Sequence, residues 1–230
     1  MDNKWCNAQY GFRQGRSSED LLCRFRNMVD HSSAKLVAGV LVDFKGAFDY
    51  LSWHSILDRL DLVGHSNEEM GLWSSYFADR SVFLMNRRSD QVARRSLERG
   101  CPQGSIGGPT VWNLALDELL WQLEQVGIPV VAYADDTTCL AEGESRDQFE
   151  ASVERAFGLI YDWCDKYGSR LLRGHTLLAS PPELDIFFRT RCLVPSCECG
   201  SRFCCRRWQV PSLLCRLHLV SVVLASGATL

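Results

Sequence analysis

At 230 residues, with 46% hydrophobic and 23% charged side chains, the chain has the material for one sizeable domain with or without a tail, and wholesale disorder is excluded. A formal charge of −3 at pH 7 gives no global signature of a polyanion binder, and the polar stretch Met1 to Arg16 lacks the apolar core of a signal peptide. The late apolar run Leu213 to Ala225 is too short to span a bilayer and contains Arg216 and His218, so no membrane role is expected, and the 11 cysteines are expected as reduced thiols.

In chain order, Ser17-Ser18-Glu19-Asp20 predicts a helix start, with a serine cap and acids in the first turn. Leu21, Leu22, Phe25, Met28 and Val29 follow at helical spacing and predict one buried face. The valine-rich run Leu36 to Phe44 predicts a strand covered on both faces, with Asp43 at its end. Ser52 predicts the cap of a helix through Trp53, Ile56, Leu57 and Leu60 that Gly64 stops. Ser66 and Glu69 form a capping-box pattern ahead of Met70, Trp73, Tyr76 and Phe77.

Ser81 to Asn86 and Gln91 to Leu97 predict a hairpin around Arg87-Arg88-Ser89-Asp90. Pro109 predicts the start of a helix carrying Val111, Leu114, Leu119, Leu120 and Leu123. Ile128 to Ala132 and Thr137 to Leu140 predict a second hairpin, with Asp135 and Asp136 at its tip. Ser145 and Gln148 suggest another capping box, opening a helix whose buried face is Phe149, Val153, Ala156, Phe157, Ile160 and Trp163, up to Gly168. Beyond residue 180 this periodicity is lost. Residues 181–230 contain no lysine and six arginines against Glu183, Asp185 and Glu198, a net +3 where the rest of the chain is −6.

The chemistry begins with the acids. If the strand ending at Asp43 neighbours the hairpin, three carboxylates converge, and a divalent cation relieves their repulsion. An Asp-Asp pair at a hairpin tip serves equally well as plain turn chemistry, so the pair alone decides nothing.

Four motifs in order carry a resemblance to a known family. Leu41-Val42-Asp43-Phe44-Lys45-Gly46-Ala47-Phe48-Asp49 resembles motif A of the reverse transcriptases of non-LTR (LINE-type) retrotransposons. Gly100-Cys101-Pro102-Gln103-Gly104-Ser105, with Gly108-Pro109 and Trp112-Asn113-Leu114, resembles their motif B, and Tyr133-Ala134-Asp135-Asp136 their motif C. Gln9-Tyr10-Gly11-Phe12-Arg13, Gly15-Arg16 and Ser17 to Leu21 resemble the fingers motif upstream. The resemblance implies an α+β fold, the fingers and palm of a reverse-transcriptase-type polymerase, with an antiparallel sheet, helices packed on one face and no thumb. It divides the chain into partial fingers (1–35), a palm with motifs A to D (36–180) and an atypical tail outside the polymerase fold (181–230).

By the same resemblance Asp43 and Asp135 are the principal ligands of two Mg²⁺ ions and Asp136 is the third carboxylate. The substrate-binding residues are Phe48, Gln103, Gly104 and Tyr133. Phe48 stands where a ribose 2′-hydroxyl would sit, and Gln103 lies by the incoming nucleotide. Read as bare residues, Phe48 is also a core aromatic and Pro102-Gln103-Gly104 also a turn. The implied reaction is RNA-directed DNA synthesis, in which a primer 3′-hydroxyl attacks a deoxynucleoside triphosphate. RNA template, DNA primer and deoxynucleoside triphosphates are the implied partners, in the nucleus or cytoplasm. Arg87, Arg88, Arg94, Arg95 and Arg99 suit template–primer phosphates or a solvated hairpin equally.

Three departures from the family pattern stand beside the match. The chain opens inside the fingers. Leu171-Leu172-Arg173-Gly174-His175-Thr176 replaces the Leu-Asn-x-x-Lys-Thr of motif D, with His175 in the lysine position. The tail resembles neither motif E nor a thumb, and Cys197, Cys199, Cys204, Cys205, Cys215 and His218 lack zinc-finger spacing. A frame-shifted or mis-spliced continuation fits its composition better. These departures define the alternative expectation, a non-catalytic remnant of such an element.

Overall fold

The computed structural model describes residues 5–85 and 92–171, together with the backbone of 175–178. The expectations for Arg87, Arg88, Leu172 to Gly174 and the cysteine-rich tail lie outside the described residues. In chain order the elements are α1 (Ser18–Asp30), β1 (Leu36–Val42), β2 (Phe44–Lys45), α2 (Ala47–Tyr50), α3 (Trp53–Leu62), α4 (Asn67–Phe77), β3 (Ser81–Met85), β4 (Val92–Ser96), α5 (Gly107–Gln125), β5 (Val130–Tyr133), β6 (Asp136–Gly143), α6 (Arg146–Tyr167), β7 (Arg170–Leu171) and β8 (His175–Leu178). Among the described residues no helix is long and apolar enough to cross a membrane.

β1 is an interior strand of a four-stranded antiparallel sheet ordered β5-β6-β1-β8. It pairs with β6 from Leu36↔Gly143 to Val42↔Thr137, and with β8 from Ala38↔Leu178 to Leu41↔His175. The pleat explains why so many of its residues are apolar. Ala38, Val40 and Val42 face the main core, while Val37 turns the other way to meet Val29 of α1 and Leu140 of β6. The strand is thus covered on both faces, as its unbroken apolar run predicts.

The main core lies between this sheet and the helix pair α5 and α6. Trp112, Leu116, Leu119, Leu120 and Leu123 of α5 are fully buried, and so is the predicted face of α6 from Phe149 to Trp163, which Cys164 and Tyr167 extend. Each aliphatic side chain in this layer contributes ~1.5–3 kcal/mol of burial. Polar contacts fix the two helices in register. Trp163 Nε1 donates to Ala115 O at 2.8 Å, and Tyr167 OH donates to Glu118 Oε2 at 2.7 Å beside a Lys166–Glu118 salt bridge of 2.7 Å. Burial alone would raise the Glu118 carboxyl, but the hydrogen bonds from Lys166 and Tyr167 hold it below its ordinary value.

The helix starts follow local sequence closely. Ser17 with Asp20 and Ser66 with Glu69 form reciprocal capping boxes, and Ser52 caps α3 through Ser55 N. At α6 the pattern is only half realised: Ser145 accepts from Gln148 N, but the Gln148 side chain accepts from Glu144 N instead of returning to Ser145. α5 begins at Gly107, two residues ahead of Pro109, because a proline anywhere in the first turn sacrifices no intrahelical hydrogen bond. α1 is the larger departure. Of its predicted face Val29 is buried and Phe25 and Met28 are half-buried against the same cluster, while Leu22 is 63% exposed.

The five described cysteines are free thiols, and all but Cys23 are buried. Burial pushes Cys139 up to about 12 and Cys101 to about 11. From an ordinary value of 9.0, the first shift lowers the thiolate population roughly a thousandfold at pH 8. Brief iodoacetamide treatment of the native protein is therefore expected to label Cys23 and spare Cys6, Cys101, Cys139 and Cys164 in peptide mass maps. Labelling of Cys139 at a rate matching Cys23 would contradict the packing described.

Candidate active site

Strand register brings the acids together. Val42 pairs with Thr137, so the next residues outward on the two neighbouring strands are Asp43 and Asp136. Val42 and Thr137 are buried in the sheet, and pleat alternation turns the two acids to the opposite, more open face. Tyr133 pairs with Asp136, which leaves Ala134-Asp135 as a two-residue hairpin loop. Asp135 alone therefore occupies the tip. Asp136 is already the first residue of β6, one step from where the sequence reading put it.

The three carboxylates interact electrostatically. Protein around Asp136 strips water from its carboxyl and raises it above the ordinary carboxylate value, and the charges of Asp135 and Asp43 raise it further. Among the described residues no three acid, histidine or cysteine side chains are gathered closely enough to cage an ion as they stand. Like charges at one sheet end repel, and a hard divalent cation with oxygen preference is the species that relieves such repulsion. Carboxylate oxygens are the donor type that Mg²⁺ takes.

The acid turn is held from behind. Ala134 has φ +59°, a left-handed conformation that costs a residue with a Cβ ~1–2 kcal/mol. Its peptide is gripped on both sides: Gln9 Oε1 accepts from Ala134 N at 3.1 Å, and Gln9 Nε2 donates to Ala134 O at 3.1 Å. Trp112 Nε1 donates to the same carbonyl at 2.9 Å. Residues 8–10 run parallel to β5, with Ala132 N donating to Ala8 O at 2.8 Å and Tyr10 N to Ala132 O at 2.7 Å. Gly11 is needed where this segment crosses the turn, because a Cβ there would collide with Ala134 N.

Motifs A and B are stitched together beside the acids. Cys101 N donates to Phe48 O at 2.7 Å, Gly100 N to Leu51 O at 2.8 Å, and Trp53 Nε1 to Gly100 O at 2.7 Å. Gly100 has φ +83° and a Cβ on it would sit 2.6 Å from Asp49 O, so only glycine fits. Ser105 N donates to Pro102 O at 3.1 Å, making Gln103 and Gly104 the central residues of a turn, with Gly104 at φ +78° as a type II turn requires. Gln103 is exposed on it. Phe48 is half-buried, packed on Trp112 with ring centroids 5.7 Å apart and edge-on to Phe12 at 6.2 Å. Tyr133 is 40% exposed on the face that carries Asp136.

His175 pairs with Leu41 across β1 and β8, which puts its backbone two residues along β1 from Asp43. Arg94 and Arg95 lie on the exposed β3–β4 hairpin, where Arg94 stacks over Phe83 at 5.5 Å and donates to Ser81 Oγ at 3.2 Å. Arg99 forms an isolated bridge with Ser52, away from that hairpin. A groove of about 580 Å³ opens elsewhere, lined by Arg59, Asp117, Trp121 and Glu124, and contains none of the three acids. Its Arg59–Asp117 pair at 3.2 Å, with Cys6 N donating to Asp117, reads as a structural ion pair.

Sequence reading quotes Gln9 and Trp112 within motifs but assigns neither a role. No local sequence signal marks Gln9, whose partner Ala134 lies 125 residues away.

A sheet of this order, with acids at one end and a helix pair behind it, is the fold of reverse-transcriptase-type polymerases. It superposes on telomerase from Candida tropicalis in complex with a fragment of telomeric RNA, with a TM-score of 0.57 over 74% of this chain and 30% of that one, at 11% identity. A C-terminally truncated apo telomerase from the same organism gives 0.55 over 78% and 38%, at 10% identity. The sequence profile of reverse transcriptases (RNA-dependent DNA polymerases) matches residues 1–174, and the chain belongs to that family, as a reverse transcriptase domain of the non-LTR retrotransposon type. It is 39% identical over 173 residues to a 115 kDa protein of the type-1 retrotransposable element R1DM of Drosophila melanogaster. It is 36% identical over 191 residues to the Pol polyprotein of the type-1 element R1 of Bradysia coprophila. These alignments take in 75% and 79% of this chain but only 16% and 19% of the two relatives.

Proposed function

We propose that the chain carries the polymerising centre of a retrotransposon RNA-directed DNA polymerase, in which Asp43, Asp135 and Asp136 hold Mg²⁺. The observation that carries this reading is the register Val42↔Thr137, which sets Asp43 beside Asp136 and the Asp135 loop. When bound, the metal supplies charge neutralisation and activation of a primer 3′-hydroxyl. Asp43 and Asp135 present carboxylate oxygens from two different backbone segments, so a primer end and a triphosphate can meet between them. Phe48, braced by Trp112 and Phe12, bounds the sugar of the incoming nucleotide. Gln103 and Gly104, on an exposed turn, border its base, and Tyr133 borders the primer side. Arg94 and Arg95 offer cationic contacts to a template–primer duplex. The palm in this reading runs over residues 36–180, with residues 1–35 contributing part of the fingers.

Primer extension on poly(rA)/oligo(dT) with Mg²⁺ tests the proposal, with incorporation of deoxythymidine as the expected result. Folded protein that extends no primer favours the second reading, a non-catalytic remnant. His175 in the place of the motif D lysine is the observation on that side, since histidine at neutral pH is a poorer permanent cation. Where extension occurs, Phe48→Val is expected to raise ribonucleotide use relative to deoxyribonucleotide use by roughly 10–200-fold, the range over which a pocket discriminates a single methylene-sized group. Competition between the two nucleotide types on one primer reads this ratio. An unchanged ratio removes Phe48 from the sugar site.

A further inference from the structure

We propose that Gln9 is a positioning residue for the acid turn: its buried amide clamps both sides of the Ala134 peptide and thereby fixes where Asp135 stands relative to Asp43. This inference rests on the metal-dependent polymerase reading. Three observations point to it independently. Gln9 is only 3% exposed, and its side-chain hydrogen bonds go to the turn and its own segment: Ala134 N, Ala134 O and Gly11 N, the last at 2.8 Å. Ala134 is held at φ +59° without being glycine, so its conformation needs outside support. Trp112 Nε1 completes the carbonyl's partners, and Asn113 Nδ2 donates to Gly11 O at 3.0 Å, tying the clamp to helix α5.

A glutamine suits this task because one planar amide offers an acceptor and a donor at a spacing that matches a peptide's N–H and C=O. The clamp faces the turn from below, while Asp135 lies at the tip. Gln9 therefore acts through the backbone and touches no substrate.

The test uses Mn²⁺ as the probe, followed by loss of its free-ion EPR signal on titrating the full chain, with Asp135→Asn as the control that loses binding. Gln9→Met keeps length and apolar fit but removes all three amide hydrogen bonds, to Ala134 N, Ala134 O and Gly11 N. It is expected to weaken Mn²⁺ binding by roughly tenfold or more, as the loss of an orienting partner behind a metal ligand does. Adding Ala134→Gly, which relieves the positive φ, is expected to recover most of that loss. A merely structural glutamine would not be rescued by a turn glycine. Mn²⁺ affinity unchanged in Gln9→Met, or a loss that Ala134→Gly does not recover, overturns the inference.

Should wild type itself bind no Mn²⁺, the metal reading fails separately, and amide hydrogen exchange over residues 133–137 decides the clamp. Exchange there roughly tenfold faster in Gln9→Met, with α6 peptides unchanged, supports it, and equal exchange overturns it. If Gln9→Met does not fold, the same exchange measurement is made on Gln9→Glu, which keeps an acceptor for Ala134 N but sets a charged carboxylate oxygen against Ala134 O in place of the donor.

Discussion

Asp135→Asn is expected to abolish Mg²⁺-dependent primer extension while leaving the fold intact. Asparagine has nearly the same volume, and position 135 sits on a two-residue loop between Tyr133 and Asp136, outside the packed core. Nothing in the helix–sheet core depends on its charge. What changes is the cation site, which loses one of three carboxylates, and extension is expected to fall by at least roughly a hundredfold. Stability should move the opposite way. The Asp136 carboxyl is raised by desolvation and then by the charges of Asp135 and Asp43. A raised acid contributes stability that is fully present below its unfolded value and lost as pH rises through its folded value. At pH 7 the charged cluster is therefore a cost, and removing the Asp135 charge relieves part of it. The variant should unfold at a temperature equal to or slightly above that of wild type at neutral pH, with the difference vanishing in acid. Thermal melts at pH 4 and 7, run beside the extension assay, check both halves. Loss of extension accompanied by a lower melting temperature at neutral pH would assign Asp135 a structural role instead.

Trp112→Ala carries the largest expected effect on stability. Trp112 is fully buried and its ring meets Phe44 at 5.8 Å, Phe48 at 5.7 Å and Trp163 at 6.0 Å, so it joins motif A, the sheet and α6 at one point. Truncation removes that ring and leaves a void that close-packed neighbours fill only in part, a cost of ~3–5 kcal/mol. It also deprives Ala134 O of the indole donor. Against a typical domain stability of ~5–15 kcal/mol, the variant should be marginal at 25 °C and show a much lower urea midpoint. Trp112→Phe keeps most of the ring and separates the terms, with a loss nearer ~1–2 kcal/mol from the missing hydrogen bond and residual space. A midpoint for Trp112→Ala close to that of wild type would mean that the aromatic cluster is not the anchor of the core.

The parts of this fold that could be read from sequence are those decided over three or four residues. Ser17, Ser52, Ser66 and Ser145 all cap helices because a hydroxyl and an amide three positions apart need no distant partner. The buried face of α6 was legible for the same reason, since its periodicity is strong over six turns. α1 shows the limit. Periodicity marks which side chains can face a core but not how wide the covered stripe is, and Leu22 stands in solvent while Phe25 and Met28 are half-buried. The acids were legible as a condition only: Asp43 and the hairpin become one site when β1 and β6 pair, and that pairing spans nearly a hundred residues of sequence. Gln9 was not legible at all in its role. Its partner lies at sequence separation 125, and no local pattern distinguishes a clamping amide from a surface one.

The β3–β4 hairpin has a consequence for how the chain behaves in bulk. Among the described residues its strands pair only with each other, from Ser81↔Ser96 to Met85↔Val92, and Phe83, Leu84 and Met85 are 60%, 74% and 65% exposed. A ribbon with apolar side chains in water and unpaired N–H and C=O groups along both outer margins is adhesive toward any other extended strand. The formal charge of −3 offers little long-range repulsion to keep copies apart at physiological ionic strength. Charge introduced at Leu84 or Met85 blunts this adhesive ribbon without touching the acid end of the sheet.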